Sequence, residues 1–159
     1  MRCALALALG GCWTATTVEP RAVPEPAPAS TPRVSPVVRH AQHFGIPRHS
    51  VWSGTYTCSQ GLTGARLTID LEGNLATVVF EFFADASNPT VPSGTSRLKG
   101  PAVENVNGSV TIDADPDAWI SQPPGYYMVG VTATTDASLR EMHGIMKSPT
   151  CGPIDLVRR

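Results

Sequence analysis

A Gly73-Asn74 pair set between two alternating apolar runs constrains this chain more than any other feature. Ahead of it, Arg66-Leu-Thr-Ile-Asp-Leu71 carries Leu67, Ile69 and Leu71 on one face. Behind it, Ala76–Phe83 carries Val78 and Phe80 on one face. Alternation at period two reads as a half-buried strand. Glycine tolerates the positive φ that a two-residue hairpin turn asks of its first position. A turn there fixes the register, so that Ile69 faces Val78 and Leu67 faces Phe80. The same register sets Arg66 opposite Glu81 on the outer face, an exposed ion pair of small energetic value.

Similar patterning fills the C-terminal two thirds of the chain. Trp52, Gly54, Tyr56 and Cys58 share one face of a first strand. A turn-rich loop, Asn88–Gly94, precedes a strand over Thr95–Lys99. Val103–Val106, the turn Asn107-Gly108 and Ser109–Asp113 form a second hairpin, with Val110 and Ile112 inward. Asp115-Pro-Asp-Ala-Trp-Ile120 reads as one helical turn, capped by Asp115 with Pro116 at the first helical position. Ser121–Gly125 breaks it. Strands follow over Tyr127–Thr134, with Tyr127, Val129 and Val131 on one side, over Leu139–Lys147 and over Ile154–Val157. No segment of useful length has helical periodicity. The fold class is all-β, with about eight short antiparallel strands in meander order.

The N-terminal third is of another kind. Arg2, the apolar run Ala4–Leu9 and Leu9-Gly10-Gly11-Cys12 resemble the signal and lipobox of bacterial lipoproteins. The run is shorter than the roughly 7–15 apolar residues usual in a signal peptide, which leaves room for a start upstream of Met1. The resemblance implies cleavage before Cys12, acylation of Cys12 (palmitate among its lipids), and membrane tethering at the bacterial cell envelope, on the periplasmic or surface face of the outer membrane. From Glu19 to Pro36 proline recurs every few residues. Proline fixes φ and lacks a donor, so an extended, semi-rigid spacer is expected. The expected organisation is a signal over 1–11, a lipid-anchored Pro-rich spacer over 12–49 and one β domain over 50–159.

That address also sorts the cysteines. Cys3 leaves with the signal and Cys12 takes lipid, so Cys58 and Cys151 remain as a pair in an oxidising compartment. Read as one disulfide, they close a loop of 93 residues, worth about 4–5 kcal/mol in the chain-entropy account. Cys58 ends the first strand and Cys151 just precedes the last. If those strands are neighbours, the sheet closes on itself. A closed or nearly closed barrel is therefore expected, with a two-sheet sandwich as the alternative.

Charge and motif narrow the function. From Ser50 onward seven Lys and Arg face eleven Asp and Glu, a net charge of −4. Nucleic-acid binding needs a basic face and is not expected. Asp113-Ala-Asp-Pro-Asp117 has carboxylates at alternate positions, but Ala118 and Pro124 stand where a calcium loop needs Gly and Glu. His40, His43 and His49 fall in the spacer without supporting ligands. His143 has no nucleophile partner by motif, and no G-x-S-x-G, phosphate loop or zinc-protease helix is present. No catalytic residue, metal or cofactor is expected. The aromatics Trp119, Tyr126 and Tyr127 gather around Pro123-Pro124-Gly125. Such rings either plug a barrel end or stack on a ligand. With Ser93 and Arg97 they are the candidate ligand- or partner-binding residues.

Trp52-x-Gly54-x-Tyr56-x-Cys58-x-Gln60-Gly61, Trp119-Ile120, Pro124-Gly125-Tyr126 and Cys151 resemble a small β domain of secreted bacterial proteins that carries no known activity. Trp52–Tyr56 resembles the opening strand of lipocalin- and avidin-type barrels, although the order of Gly and Trp differs from the lipocalin motif. Tyr56-Thr-Cys58, Ser93-Gly94 and Cys151 are similar to lipid-anchored periplasmic lysozyme inhibitors. With no catalytic constellation in view and an anchor at Cys12, the leading reading is a non-enzymatic, membrane-tethered module that binds a ligand or protein through loops at one barrel end. An inhibitor of a hydrolase such as lysozyme or a protease is the second reading, and a hydrolase with an unrecognised site the third. An open pocket favours the first, a protruding loop at Asn88–Gly94 or Ser121–Tyr126 the second, and a concave cluster of His143 with carboxylates the third.

Overall fold

The computed structural model describes residues 45–159. The lipobox around Cys12, most of the spacer and His40 and His43 lie outside the described residues. Eight antiparallel strands follow one another and close into a barrel, the last pairing with the first. They are β1 (His49–Cys58), β2 (Gly61–Glu72), β3 (Leu75–Ala84), β4 (Gly94–Glu104), β5 (Val110–Ser121), β6 (Val131–Thr135), β7 (Glu141–Met146) and β8 (Pro153–Arg158). Closure removes the open edges that would otherwise template association. It also excludes the sandwich.

The β2–β3 hairpin has the register that its turn dictates. Ile69 lies opposite Val78, Leu67 opposite Phe80 and Arg66 opposite Glu81. Gly73 takes a φ of 61° at the turn, and Arg66 and Glu81 approach to 3.8 Å on the outer face. The second hairpin forms where expected, but with a different turn. The Gly108 N–H donates to Asn105 O at 2.9 Å, and only Gly108 has positive φ there. Val106 and Asn107 are thus the central residues of the turn, and Gly108 supplies the left-handed step into the return strand.

Inward faces alternate around the barrel and meet in one core. Trp52, Leu67, Ile69, Val78, Leu98, Ile112, Val131, Met142, Ile154 and Leu156 are all fully or almost fully buried. Trp52 Nε1 donates to Ser50 Oγ at 3.0 Å within it. One end is closed by the three hairpin turns β2–β3, β4–β5 and β6–β7 together with Ile46. That residue falls in the segment read as spacer, yet it is only 2% exposed. Its neighbour Arg48 accepts a hydrogen bond from Leu71 N–H at 2.8 Å. At Gly54 the inward position faces the Asp155 backbone of β8 so closely that no Cβ fits. This is how β1 and β8 come near enough to seal the barrel.

Three local expectations are corrected. Asp115–Ile120 is not a helical turn but the second half of β5. The strand prevails because Asp113, Asp115 and Asp117, alternating along it, meet cations of β4 and of the segment just after β7. Lys147 pairs with Asp113 and, at 2.8 Å, with Asp115, while Arg97 and, at 3.5 Å, Lys99 pair with Asp117. Pro116 is tolerated because β6 pairs only with Thr111–Ala114, so beyond Ala114 one edge of β5 needs no donors. Two register slips in the β4–β5 ladder bend this half over the barrel end. Second, Thr95–Lys99 and Val103 belong to one strand, β4, which runs on through Gly100-Pro101. Third, Tyr127–Gly130 is not strand. The β6 strand begins at Val131, because Tyr127, Met128 and Val129 all border the cavity, which successive strand residues, pointing to opposite faces, cannot do. Similarly, β7 starts at Glu141, with Leu139 in a left-handed turn at φ 58°.

Candidate functional site

The barrel end opposite the three hairpin turns is open. Here lie the connections β1–β2, β3–β4, β5–β6 and β7–β8, and the disulfide Cys58–Cys151 joins the first of these to the last. Below them is a cavity of about 300 Å³, the lower end of the size range for small-molecule sites.

Its wall is built by strand alternation. Tyr56 of β1, Phe80 and Phe82 of β3, Ser96 of β4 and Met146 of β7 all point inward from the last turns of their strands. The rings form a connected series. Tyr56 meets Phe80 edge-on at 5.6 Å between centroids, Phe80 lies 6.3 Å from Phe82, and Phe82 meets Trp119 edge-on at 6.4 Å.

The roof comes from the β5–β6 connection. Tyr126 N–H donates to Pro123 O at 3.3 Å, with Gly125 at φ 80°. Proline followed by a positive-φ glycine is the pairing that a type II turn demands. This turn swings Tyr126 back over the mouth, where it stacks on Phe82 at 5.4 Å and 17°. Gln122 Nε2 holds the same turn by donating to Tyr126 O at 2.8 Å. Gly94, opposite, has no room for a side chain beneath the Phe82 ring and Pro123.

Tyr127 also borders the cavity. Its hydroxyl lies 3.5 Å from Ser148 Oγ and 3.3 Å from Thr150 Oγ1, and these bonds hold its pKa below the ordinary phenol value. It thereby links the roof to the β7–β8 connection. Met128 and Val129 complete the side wall.

The polar groups are few. Gln60 Nε2 donates to the Tyr56 hydroxyl at 3.3 Å and to Thr63 Oγ1 at 3.4 Å. Burial, with a contribution from Tyr126, pushes the Tyr56 pKa up to about 12, so this hydroxyl keeps its proton across the physiological range. Ser59, Ser96 and the hydroxyls of Tyr126 and Tyr127 complete the set, and no Asp, Glu, Lys, Arg or His lines the cavity among the described residues.

Of the residues picked out in the sequence, Trp119, Tyr126 and Tyr127 come together here. Ser93 lies exposed in the β3–β4 connection at the same end but is not part of the cavity wall. Arg97 is on the outer face, committed to Asp117. The β3–β4 connection does not protrude freely. Asn88 Nδ2 donates to Gln60 O at 2.6 Å and to Leu62 O at 3.1 Å, and Val91 is buried. Phe80, Phe82, Ser96 and Met146 escaped notice as site residues. The available signal was the pair of phenylalanines on the inner face of β3, next to its loop end.

His143 does meet carboxylates, but on the convex outside. Its Nδ1 lies 2.8 Å from Asp155 and its Nε2 3.5 Å from Glu141. The bond to Asp155 is the main cause that raises its pKa above the ordinary imidazole value. His49, at the start of β1, pairs likewise with Asp70 at 2.7 Å. Both are cross-strand partners on the barrel wall, well away from the cavity. Comparison with protein-family models, curated proteins and solved structures finds no match for this chain.

Proposed function

We propose that this protein is a lipid-tethered binding module that takes a small apolar molecule into the open end of its barrel. One observation carries the reading: a cavity of about 300 Å³ lined by Tyr56, Phe80, Phe82, Trp119, Tyr126 and Met146 under the Pro123–Tyr126 turn. Aromatic rings supply large apolar area with few rotatable bonds, which suits the capture of a ligand at low entropic cost. A concave, mostly apolar site with a few convergent polar groups is the usual form of a small-molecule pocket. The pinned β3–β4 connection gives less support to cleft-plugging inhibition, and the convex setting of His143 less to hydrolysis.

The neutral fluorescent dye prodan tests the site. It should bind saturably with a blue-shifted emission, and Trp119→Ala together with Tyr126→Ala should weaken it at least about tenfold, the loss of a ring contact of about 1.4 kcal/mol. Equal binding by the double variant would remove the cavity from consideration.

The anchor rests on Leu9-Gly10-Gly11-Cys12. Expressed in a bacterium, the full chain should incorporate labelled palmitate and sediment with membranes, and Cys12→Ser should do neither. Label retained by the Cys12→Ser chain would rule the anchor out.

A further inference from the structure

The polar inventory of the cavity says more about its occupant than its size does. A charged ligand would have to leave its hydration shell, and no side chain of opposite charge lines the cavity among the described residues. An entirely apolar ligand would leave a different debt. Ser96 is 2% exposed, sits in the wall between Phe80 and Trp119 in the strand register, and lines the cavity. None of the side-chain hydrogen bonds among the described residues engages its hydroxyl. No buried side-chain nitrogen or oxygen among the described residues lacks a partner, so this hydroxyl opens onto the cavity, and an apolar ligand covering it would leave it unpaired at a cost. Tyr56, 5% exposed, adds a second hydroxyl, held in place by Gln60 Nε2 at 3.3 Å. The other hydroxyls of the lining, on Ser59, Tyr126 and Tyr127, belong to exposed or half-buried residues, so the two on buried residues, in a ring-lined and charge-free pocket, match a ligand with a flat apolar body and one neutral oxygen.

We propose that the cavity selects uncharged, flat, apolar molecules carrying a single hydroxyl or carbonyl oxygen, and that Ser96 and Tyr56 hydrogen-bond that oxygen. The inference rests on the cavity being a ligand site, and it names the chemical class. The oxygen sits deep because Ser96 and Tyr56 project from strands below the roof turn, while the apolar body lies against Phe80, Phe82 and Trp119. The roof residue Tyr126 then covers the body's outer face.

Three probes of one shape separate the alternatives: naphthalene, β-naphthol and β-naphthoate, each titrated calorimetrically into the full chain at neutral pH. The neutral alcohol should bind about tenfold more tightly than the hydrocarbon, the usual worth of one satisfied buried hydrogen bond. The carboxylate should bind more weakly than the alcohol by at least about the same factor. Ser96→Ala or Tyr56→Phe should bring the alcohol-to-hydrocarbon ratio towards one, by weakening the alcohol and, since the hydroxyl that naphthalene leaves unpaired is gone, by strengthening rather than weakening naphthalene. Thermal melts establish that each variant is folded, and either variant alone suffices for the comparison. Equal binding of carboxylate and alcohol, or a ratio unchanged in both variants, would overturn the selectivity and leave the cavity a ligand site of another class. No saturable binding by any of the three would overturn the binding reading and this inference with it.

Discussion

Trp52→Ala should be the most damaging single substitution in the barrel wall. Trp52 is fully buried, lies opposite Leu67 on β2 and faces Arg158 of β8 in the register that closes the barrel. Removing a buried indole costs about 3–5 kcal/mol, because the surrounding wall collapses only partly into the space. Ser50, 5% exposed, also loses the donor that Trp52 Nε1 supplies at 3.0 Å. For a domain of this size the melting temperature should fall on the order of 10–20 °C. Trp52→Phe keeps most of the ring and loses only the donor, so it should fall by roughly a third of that. Chemical denaturation of the three proteins measures both losses. A Trp52→Ala loss under about 1 kcal/mol would mean that the site does not hold the core.

The second large effect belongs to the disulfide. Cys58→Ser, Cys151→Ser and the double variant should each lose about 2–5 kcal/mol, and the three should agree with one another. Each removes the same covalent link, closing 93 residues of chain, and the freed thiol or hydroxyl adds little. The neighbouring contact, Gly152 N–H to Thr57 O at 2.7 Å, is left to hold the two connections alone. Because both cysteines border the cavity, prodan affinity should fall with stability. Single variants with widely different melting temperatures, or a wild-type chain whose melt ignores a reductant, would count against the link.

What could be read in the sequence was what short-range chemistry decides. Gly73-Asn74 lies between its own strands, so its turn and the Ile69–Val78 register needed no distant information. The closing of the barrel was legible through one long-range clue, the positions of Cys58 and Cys151 at matching strand ends. Asp115-Pro116 misled for the opposite reason. Its helix-cap signature is local, whereas the forces that extend it come from Arg97 and Lys99 on β4 and from Lys147 beyond β7, none of them within reach along the chain. Tyr127–Gly130 misled similarly, since Tyr127, Met128 and Val129 all border a hollow formed by other strands. The aromatic cluster was visible as composition. That Tyr126 roofs a space rather than filling it depends on the Pro123–Tyr126 turn and on the bend in β5.

Both ends of the described domain leave the barrel at its sealed base. Gly45–His49 enters there beside Leu71, and Arg158 pairs with Trp52 and Arg159 N–H donates to Val51 O on the same half of β1. A carrier, bead or electrode joined at Gly45 or Arg159 therefore holds the barrel from beneath and leaves the approach to Tyr126 unobstructed. Polarity of attachment is in this way built into the strand order. An even number of antiparallel strands returns the chain to the end where it began, and the opposite end is left free for whatever passes in solution.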